Sequence, residues 1–485
     1  MSDKKSIEIV NNFIYEIEKK YDLLNKKINN TFFWEKIRIS VQSIILRKLS
    51  LIEKPHYKAK EKPFDRLIIN FKGLLNFFSK NPFFAGKFDI LIFGSPRRIK
   101  LEDGKFYDIY TDYFYEEIKN KYKIIYLEPP YFIGNTHFKP ARTEKIYYLD
   151  IIKTILAPIT SKINRKKLVF SNDEVILLQN IENEIKSYFN ISINLLSIVK
   201  HSIFVSIGEI FWFKKLLCKI SPKVSFIVCS YGNENFIEAC KDLNIKTVEI
   251  QHGTISPYHL GYNFPLENLK KRSFSDYIFL FGDFWKYCSK FPISKENIIS
   301  IGFPFIERQK KIYNEKQRKN QIVFVSQGTV GKKLSLMAYE LSKKITNYKI
   351  VYKLHPGEYS VWRQLYPYLE ESDITVIDSN SVSIYSLFAE SKIQIGVYST
   401  AIFEGVYFGL YTFLIDINGI EHARILLDLN YATLVSDIDD LITNINSIQT
   451  KEIASGQKNQ NVEYLFKSNS IENFKNEIEK ILNSI

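Results

Sequence analysis

The chain has 485 residues, 45% hydrophobic and 15% aromatic, and its 67 Lys and Arg outnumber 53 Asp and Glu to give a formal charge of +14. That length is too great for one ordinary core and predicts two or three domains, while the apolar content excludes an intrinsically disordered chain. Cys218, Cys229, Cys240 and Cys288 show no CxxC spacing, which excludes a zinc site and a disulfide frame and predicts reduced thiols in a cytoplasmic protein.

The positive balance favours anionic partners: nucleic acid, lipid headgroups or phosphorylated substrates. The N-terminal "MSDKKSIEIVNN" lacks the basic-then-apolar pattern of a signal peptide, and no uninterrupted apolar stretch of about 18 residues predicts a spanning helix. Residues 1–86 read as a helical section. "NNTFFWEKIRISVQSIILRKLS" spaces Phe33, Ile37, Val41, Ile44 and Ile45 helically among Lys36, Arg38, Arg47 and Lys48. "FDRLIINFKGLLNFFSKNPFF" mixes Phe and Leu with Arg66, Lys72 and Lys80. Such helices either pack on the next domain or lie on an anionic membrane surface, and the net charge makes peripheral contact at the inner face of the plasma membrane an expectation.

From 87 the rhythm becomes strand and helix. "FDILIFG" ends in Gly-Ser-Pro-Arg-Arg, and "KIIYLEPP", "KIYYLD", "VSFIVCSYG", "KTVEIQHG", "DYIFLFG" and "NIISIGFP" follow, with helical stretches between. A charged connector spans 306–321. A second series over 322–485 runs through "IVFVSQGTVG", "YKIVYKLHPGE", "ITVIDSN", "KIQIGVYST" and "YTFLIDI" to the helical "SIENFKNEIEKILNSI". Continuous apolar strands alternating with helices predict parallel sheets covered on both faces. The fold class is therefore α/β, with Rossmann-like domains over 87–305 and 322–485 facing across a cleft. Ligands of such sheets bind at the carboxyl ends of strands.

Four strand ends carry candidate chemistry. In Gln251-His252-Gly253-Thr254, a neutral imidazole can accept a proton, Gly253 permits a tight turn or close approach, and Gln251 and Thr254 position the segment. The plainer reading of His252 is a core histidine bonded to a carbonyl. In "VYKLHPGE", Lys353 and His355 alternate about Leu354 and so share a face, and Pro356 stops the strand; a cation beside an imidazole suits a pyrophosphate. In "GVYSTAIFEGVYFG", Ser399 and Thr400 open a helix whose free N–H groups form a phosphate seat, and Glu404 lies about one turn on, placed to take ribose hydroxyls. The plainer reading makes them an N-cap and a dipole partner. In "VSQGTVGKK", Ser326, Gln327, Gly328 and Thr329 form a Gly-containing turn able to bind phosphate, without the P-loop pattern.

This order of motifs resembles bacterial GT-B glycosyltransferases of surface-polysaccharide assembly. These include capsule and lipopolysaccharide transferases, the CDP-glycerol glycerophosphotransferases of teichoic acid synthesis, and the sialyl- and Kdo-type transferases with a His-Pro motif. The resemblance rests on Gln251-His252-Gly253-Thr254, Lys353-Leu354-His355-Pro356 and Tyr398-Ser399-Thr400 with Glu404. It implies sugar transfer from a CMP-, CDP- or UDP-linked donor to a hydroxyl of an oligosaccharide or lipid-linked glycan, with His252 as base and neither metal nor cofactor. Gln251 stands where the teichoic acid motif has Trp, and Gln251-His252 stand where the sialyltransferase pattern has two acids. Glycerol-phosphate transfer and nucleotide-sugar 2-epimerisation remain alternatives. Basic residues spread along the chain, with no nucleic-acid motif, argue against nucleic acid as the partner.

Overall fold

The computed structural model describes residues 6–52, 75, 79–95, 97–101, 103–130, 137–141, 143, 145–265, 271–454 and 461–485. Short runs of β-branched and aromatic residues become strands in chain order: β1 (Ile90–Phe93), β2 (Arg98–Lys100), β3 (Phe106–Asp108), β4 (Ile124–Glu128) and β5 (Ile146–Tyr148). β6 (Val224–Ile227), β7 (Lys246–Ile250), β8 (Tyr277–Leu280) and β9 (Ile298–Ser300) follow. Seven of these form one sheet in the order β5-β4-β1-β6-β7-β8-β9, parallel throughout, with β2-β3 a separate antiparallel pair. Every residue of β1, β4 and β6 is buried, as the continuous apolar runs require of strands covered on both faces.

The second half supplies β10 (Gln321–Val325), β11 (Lys349–Lys353), β12 (Thr375–Ile377), β13 (Ile393–Gly396), β14 (Tyr411–Ile415) and β15 (Thr433–Val435), ordered β12-β11-β10-β13-β14-β15 and again parallel. In each sheet the first strand lies inside the order, and the chain winds outward from it in both directions. The direction reverses between β1 and β6 and between β10 and β13. Loops leaving the carboxyl ends of these pairs diverge and open a crevice, the usual ligand position in an open α/β sheet.

The N-terminal helices Ile7–Lys20 and Phe33–Lys48 join the first core through Val10, Ile14, Trp34 and Val41. Arg38 is buried: Nε donates to Glu18 Oε1 at 2.8 Å, Nη2 to Glu18 Oε2 at 2.9 Å, and Nη1 to the Leu260 and Asn263 carbonyls at 2.7 and 3.0 Å. Such a pair is tolerated inside because the fork and both carboxylate oxygens are matched. Lys36 is likewise taken up by Glu238 at 3.0 Å. Of the two readings of "NNTFFWEKIRISVQSIILRKLS", packing on the next domain is the one seen, with its apolar face and Lys36 and Arg38 inside the lobe. The second basic stretch, 64–84, falls mostly outside the described residues.

Helix Leu195–Ile220 is long and apolar enough, by length and composition, to cross a membrane, although Lys200 and Glu209 interrupt its apolar run. Here it buries Val199, Ile203, Phe213, Leu216 and Leu217 in the first lobe. The connector begins as the helix Pro304–Ile312, and Lys310 Nζ donates to the Tyr407 carbonyl at 2.9 Å. The C-terminal helix Ser470–Asn483 belongs by packing to the first lobe. Phe474 stacks on Phe114 at 4.1 Å, and Trp285 Nε1 donates to the Leu465 carbonyl at 2.8 Å. The last part of 322–485 thus returns across the connection.

Candidate active site

The turn after β7 is clamped by one side chain. Gln251 Nε2 donates to the Gly253 carbonyl at 2.9 Å, and its Oε1 accepts from Phe281 N at 2.8 Å. His252 is thereby held between two tyrosine hydroxyls, Tyr262 at 3.2 Å from Nδ1 and Tyr231 at 3.0 Å from Nε2. Tyr262 donates its only proton to Glu249 Oε1 at 2.6 Å. Nδ1 must then donate to Tyr262, which leaves the Nε2 lone pair facing the Tyr231 hydroxyl. Glu249 is fully buried and also accepts from Ser230; burial raises its pKa to about 7. Burial, then the Arg97 charge, then His259 lower the His252 pKa to about 3, so the imidazole is neutral.

The β6 loop aims Ser230 and Tyr231 from a strained residue. Cys229 has φ +138°, a conformation costly for a side chain with a Cβ. Its thiol donates to the Tyr231 carbonyl at 3.0 Å, and its own carbonyl accepts from Asn233 Nδ2 at 2.9 Å.

From the neighbouring β1 end comes Arg97. Nη1 donates to the Tyr110 hydroxyl at 3.2 Å, which in turn donates to the His252 carbonyl at 2.7 Å. Tyr110 stacks on Phe303 with centroids 5.5 Å apart. Among the described residues no carboxylate pairs with Arg97, and the residue is exposed. Its charge reaches both lobes. It is one cause of the low pKa of His252, and it acts in the second lobe on His355 and Glu404.

The lobes meet at the β7 turn. Thr254 N donates to Thr400 Oγ1 at 3.1 Å, and the two hydroxyls are 3.1 Å apart. A Cβ on Gly253 would stand 3.3 Å from Thr400 Oγ1, a tight contact that Thr400 would have to ease by a few tenths of an ångström. Ser256 Oγ meets His422 Nδ1 at 2.7 Å beside it. Thr400 opens the helix Thr400–Tyr407, capped by Ser399, whose Oγ accepts from Ala401 N at 3.3 Å. Glu404, one turn on, is buried and accepts from the Tyr385 hydroxyl at 3.1 Å. Burial raises its pKa to about 7 against the opposing effects of Tyr385 and Arg97.

Other second-lobe residues are distributed differently from the sequence expectation. Ser326 Oγ donates to Glu358 Oε2 at 2.7 Å, and Thr329 Oγ1 meets the Tyr398 hydroxyl at 2.5 Å, so both hydroxyls are engaged within the lobe. Gly328 remains open, a Cβ there meeting nothing nearer than 3.9 Å, and Gln327 Oε1 is buried with no hydrogen-bond partner. Lys353, expected to meet a phosphate together with His355, has its ammonium engaged inside the lobe. Lys353 Nζ donates to the Tyr359 hydroxyl at 2.9 Å and the Ser379 carbonyl at 2.6 Å, and burial lowers its pKa to about 8. His355 is exposed. Its Nδ1 accepts from Gly357 N at 3.1 Å in the single turn Pro356–Glu358, which leaves Nε2 outside that bond; desolvation lowers its pKa, with Arg97 a further, smaller cause.

The structure therefore brings Gly253 and Thr254, next to His252, against Thr400, next to Ser399, links His355 and Glu404 to this turn through the Arg97 charge, and gives Lys353, Ser326 and Thr329 to internal bonds. Sequence reasoning missed Arg97, Tyr110, Tyr231, Glu249, Tyr262 and Tyr385. Arg97 had a signal, since "FGSPRR" ends the first strand of a parallel sheet. Tyr262, ten residues beyond His252 in a loop, had none.

No protein-family model matches the chain, and no curated protein matches its sequence. Among solved structures it is similar to the UDP-GlcNAc 2-epimerase from Neisseria meningitidis bound to UDP-GlcNAc, with 15% identity, 82% of this chain and 99% of that one covered, and a TM-score of 0.50. It is similar also to a Listeria monocytogenes protein assigned as a UDP-N-acetylglucosamine 2-epimerase, with 10% identity, 82% and 98% covered, and a TM-score of 0.51. To the wall teichoic acid polymerase TagF the identity is 13%, with 88% and 99% covered and a TM-score of 0.42. Likeness at these identities is likeness of fold: the chain has an α/β, GT-B-type architecture of two Rossmann-like lobes.

Proposed function

We propose that the chain is a metal-independent glycosyltransferase, moving a sugar from a nucleotide-activated donor to a hydroxyl of a growing bacterial surface glycan in the cytoplasm. The observation that carries this reading is Arg97: a cation free of any described carboxylate, at the β1/β6 reversal, acting on His252 in its own lobe and on His355 and Glu404 across the cleft. A fixed positive charge between two lobes is suited to a leaving phosphate.

In this reading the donor phosphates lie among Arg97, His355, the Gln327-Gly328 turn and the start of helix Thr400–Tyr407, with the ribose at Glu404. The acceptor hydroxyl takes the place of Tyr231 at His252 Nε2 and gives up its proton there as its oxygen bonds to the anomeric carbon. The bond from that carbon to phosphate breaks, and the electron pair leaves on a phosphate oxygen held by Arg97. The donor also prepares the base. Burial and then Arg97 lower the basicity of His252, and a bound phosphate offsets the Arg97 part, so the imidazole becomes a stronger base when the donor is present.

Thermal shifts with CMP, CDP, UDP and GDP test the premise. One nucleotide at about 100 times its Kd should stabilise the native chain by about 2.7 kcal/mol. The matching donor is then incubated with and without glycan acceptor. Glycosylated product only with acceptor supports sugar transfer, isomerised donor without acceptor supports a 2-epimerase, and glycerol-phosphate moved from CDP-glycerol to the acceptor with release of CMP supports the teichoic-acid-type reaction. If none of the four nucleotides shifts the melting temperature, the nucleotide reading fails.

A further inference from the structure

The segment after β5 forms one helix, π-helical over Ile152–Leu156 and α-helical over Ala157–Ile163. Its inner side is fixed on helix Leu195–Ile220. A Cβ on Gly208 would lie 2.1 Å from the Ala157 carbonyl, so the two backbones touch there. Ser161 Oγ donates to the Phe204 carbonyl at 2.6 Å, and Trp212 Nε1 to Thr160 Oγ1 at 2.8 Å. With that side fixed, the other faces solvent. It carries Ile155, Ile159 and Ile163, four residues apart, at 41, 49 and 75% exposure, and Val169 at 71% lies just beyond.

Charge accompanies this stripe. The run 151–170, "IIKTILAPITSKINRKKLVF", contains five Lys and Arg and no Asp or Glu. Lys162, Arg165 and Lys166 are exposed, with no carboxylate partner among the described residues. On the adjoining helix Phe211 is exposed, with the Lys215 ammonium 4.9 Å from its ring centre. An apolar hollow of about 260 Å³, with Phe83, Phe84, Leu156 and Trp212 in its wall, lies beside the stripe. Isolated exposed apolar residues need no explanation, but an ordered row on a rigid helix, bordered by unpaired cations, marks a contact surface.

We propose that this helix face docks the protein on an anionic lipid bilayer, its isoleucines entering the interface and Lys162, Arg165 and Lys166 meeting lipid phosphates. The charge favours a bilayer over a second copy of the chain, because a two-fold contact through this face would set one group of cations against another. The proposal is independent of the reaction in the cleft, and it places membrane contact away from helix Phe33–Lys48.

The test is co-sedimentation of the full chain with vesicles of phosphatidylcholine alone or with phosphatidylglycerol added. Binding is expected only to the anionic vesicles and should weaken with salt. The variant Lys162→Glu/Arg165→Glu/Lys166→Glu should bind about a hundredfold more weakly, and Ile155→Ser/Ile159→Ser/Ile163→Ser at least about tenfold more weakly. Both sets of side chains are exposed, so melting temperatures should match the native protein. Native-like sedimentation of both variants, absence of native binding to anionic vesicles, or a solution dimer dissolved by the isoleucine variant would each overturn the proposal.

Discussion

Replacing His252 by alanine should lower kcat by about 10²–10⁴, the usual worth of a positioned general base, with nucleotide affinity by thermal shift close to native. The asymmetry follows from position. His252 stands on the first lobe, where only the acceptor needs it, and no neighbour can substitute. Burial raises the Tyr231 and Tyr262 hydroxyls above their ordinary range, so neither is a base near neutrality, and Glu249 lies behind Tyr262. The Glu249 pKa of about 7 gives the reaction a pH signature. Above it, the carboxylate takes the Tyr262 proton, Nδ1 carries hydrogen and Nε2 is free to accept. Below it, the carboxylic acid donates to Tyr262, Tyr262 donates to Nδ1, and the imidazole hydrogen moves to Nε2, where it blocks proton removal. The value of kcat should therefore fall as pH drops through about 7, and Glu249→Gln should remove that limb. Native kcat in the His252→Ala protein would refute the assignment.

Arg97→Met should lower kcat/KM by about 10²–10³, the effect of removing one strong donor from a developing oxyanion, and should weaken nucleotide binding as well. It should also raise the His252 pKa, measured by NMR titration of the empty protein, because Arg97 is one of the causes that lower it. The adjacent Arg98 provides the contrast. It is buried, with Nη1 2.5 Å from Glu128 Oε2, so Arg98→Met should lower the melting temperature by stripping that oxygen of its partner inside the lobe and leaving Glu128 with its bond to His137. Activity loss in Arg97→Met without a change in the His252 titration would separate a folding defect from the proposed role.

The two parallel sheets were legible because strands covered on both faces read as continuous apolar runs, as "ILIF" and the "IVFV" of 322–325 do. The β7 turn was legible as a site because a histidine and a glycine interrupt such a strand at its carboxyl end. The identity of each side chain's partner was not. Lys353 reads as a phosphate ligand until Tyr359 and Ser379 are seen to hold it, and Ser326 does so until Glu358, 32 residues away, takes its proton. Arg38 and Lys36 read as a membrane face because Glu18 and Glu238 are remote in sequence and meet them only after folding. The periodicity of Ser470–Asn483 reveals an apolar stripe but not the lobe that receives it. Local pattern specifies elements, whereas pairing across the fold decides which polar groups remain for chemistry.

The returning C-terminal helix bears on how the halves can move. The chain passes between them twice, once through Pro304–Ile312 and once before Ser470–Asn483, and the passages are fastened together where Ser470 Oγ donates to Glu307 Oε2 at 2.6 Å. A single tether would allow one half to swivel on the other. Two tethers fastened side by side should act like a door on two pins, so that any parting of the halves is expected to favour a swing about one axis over a twist and to return Thr400 to the same turn.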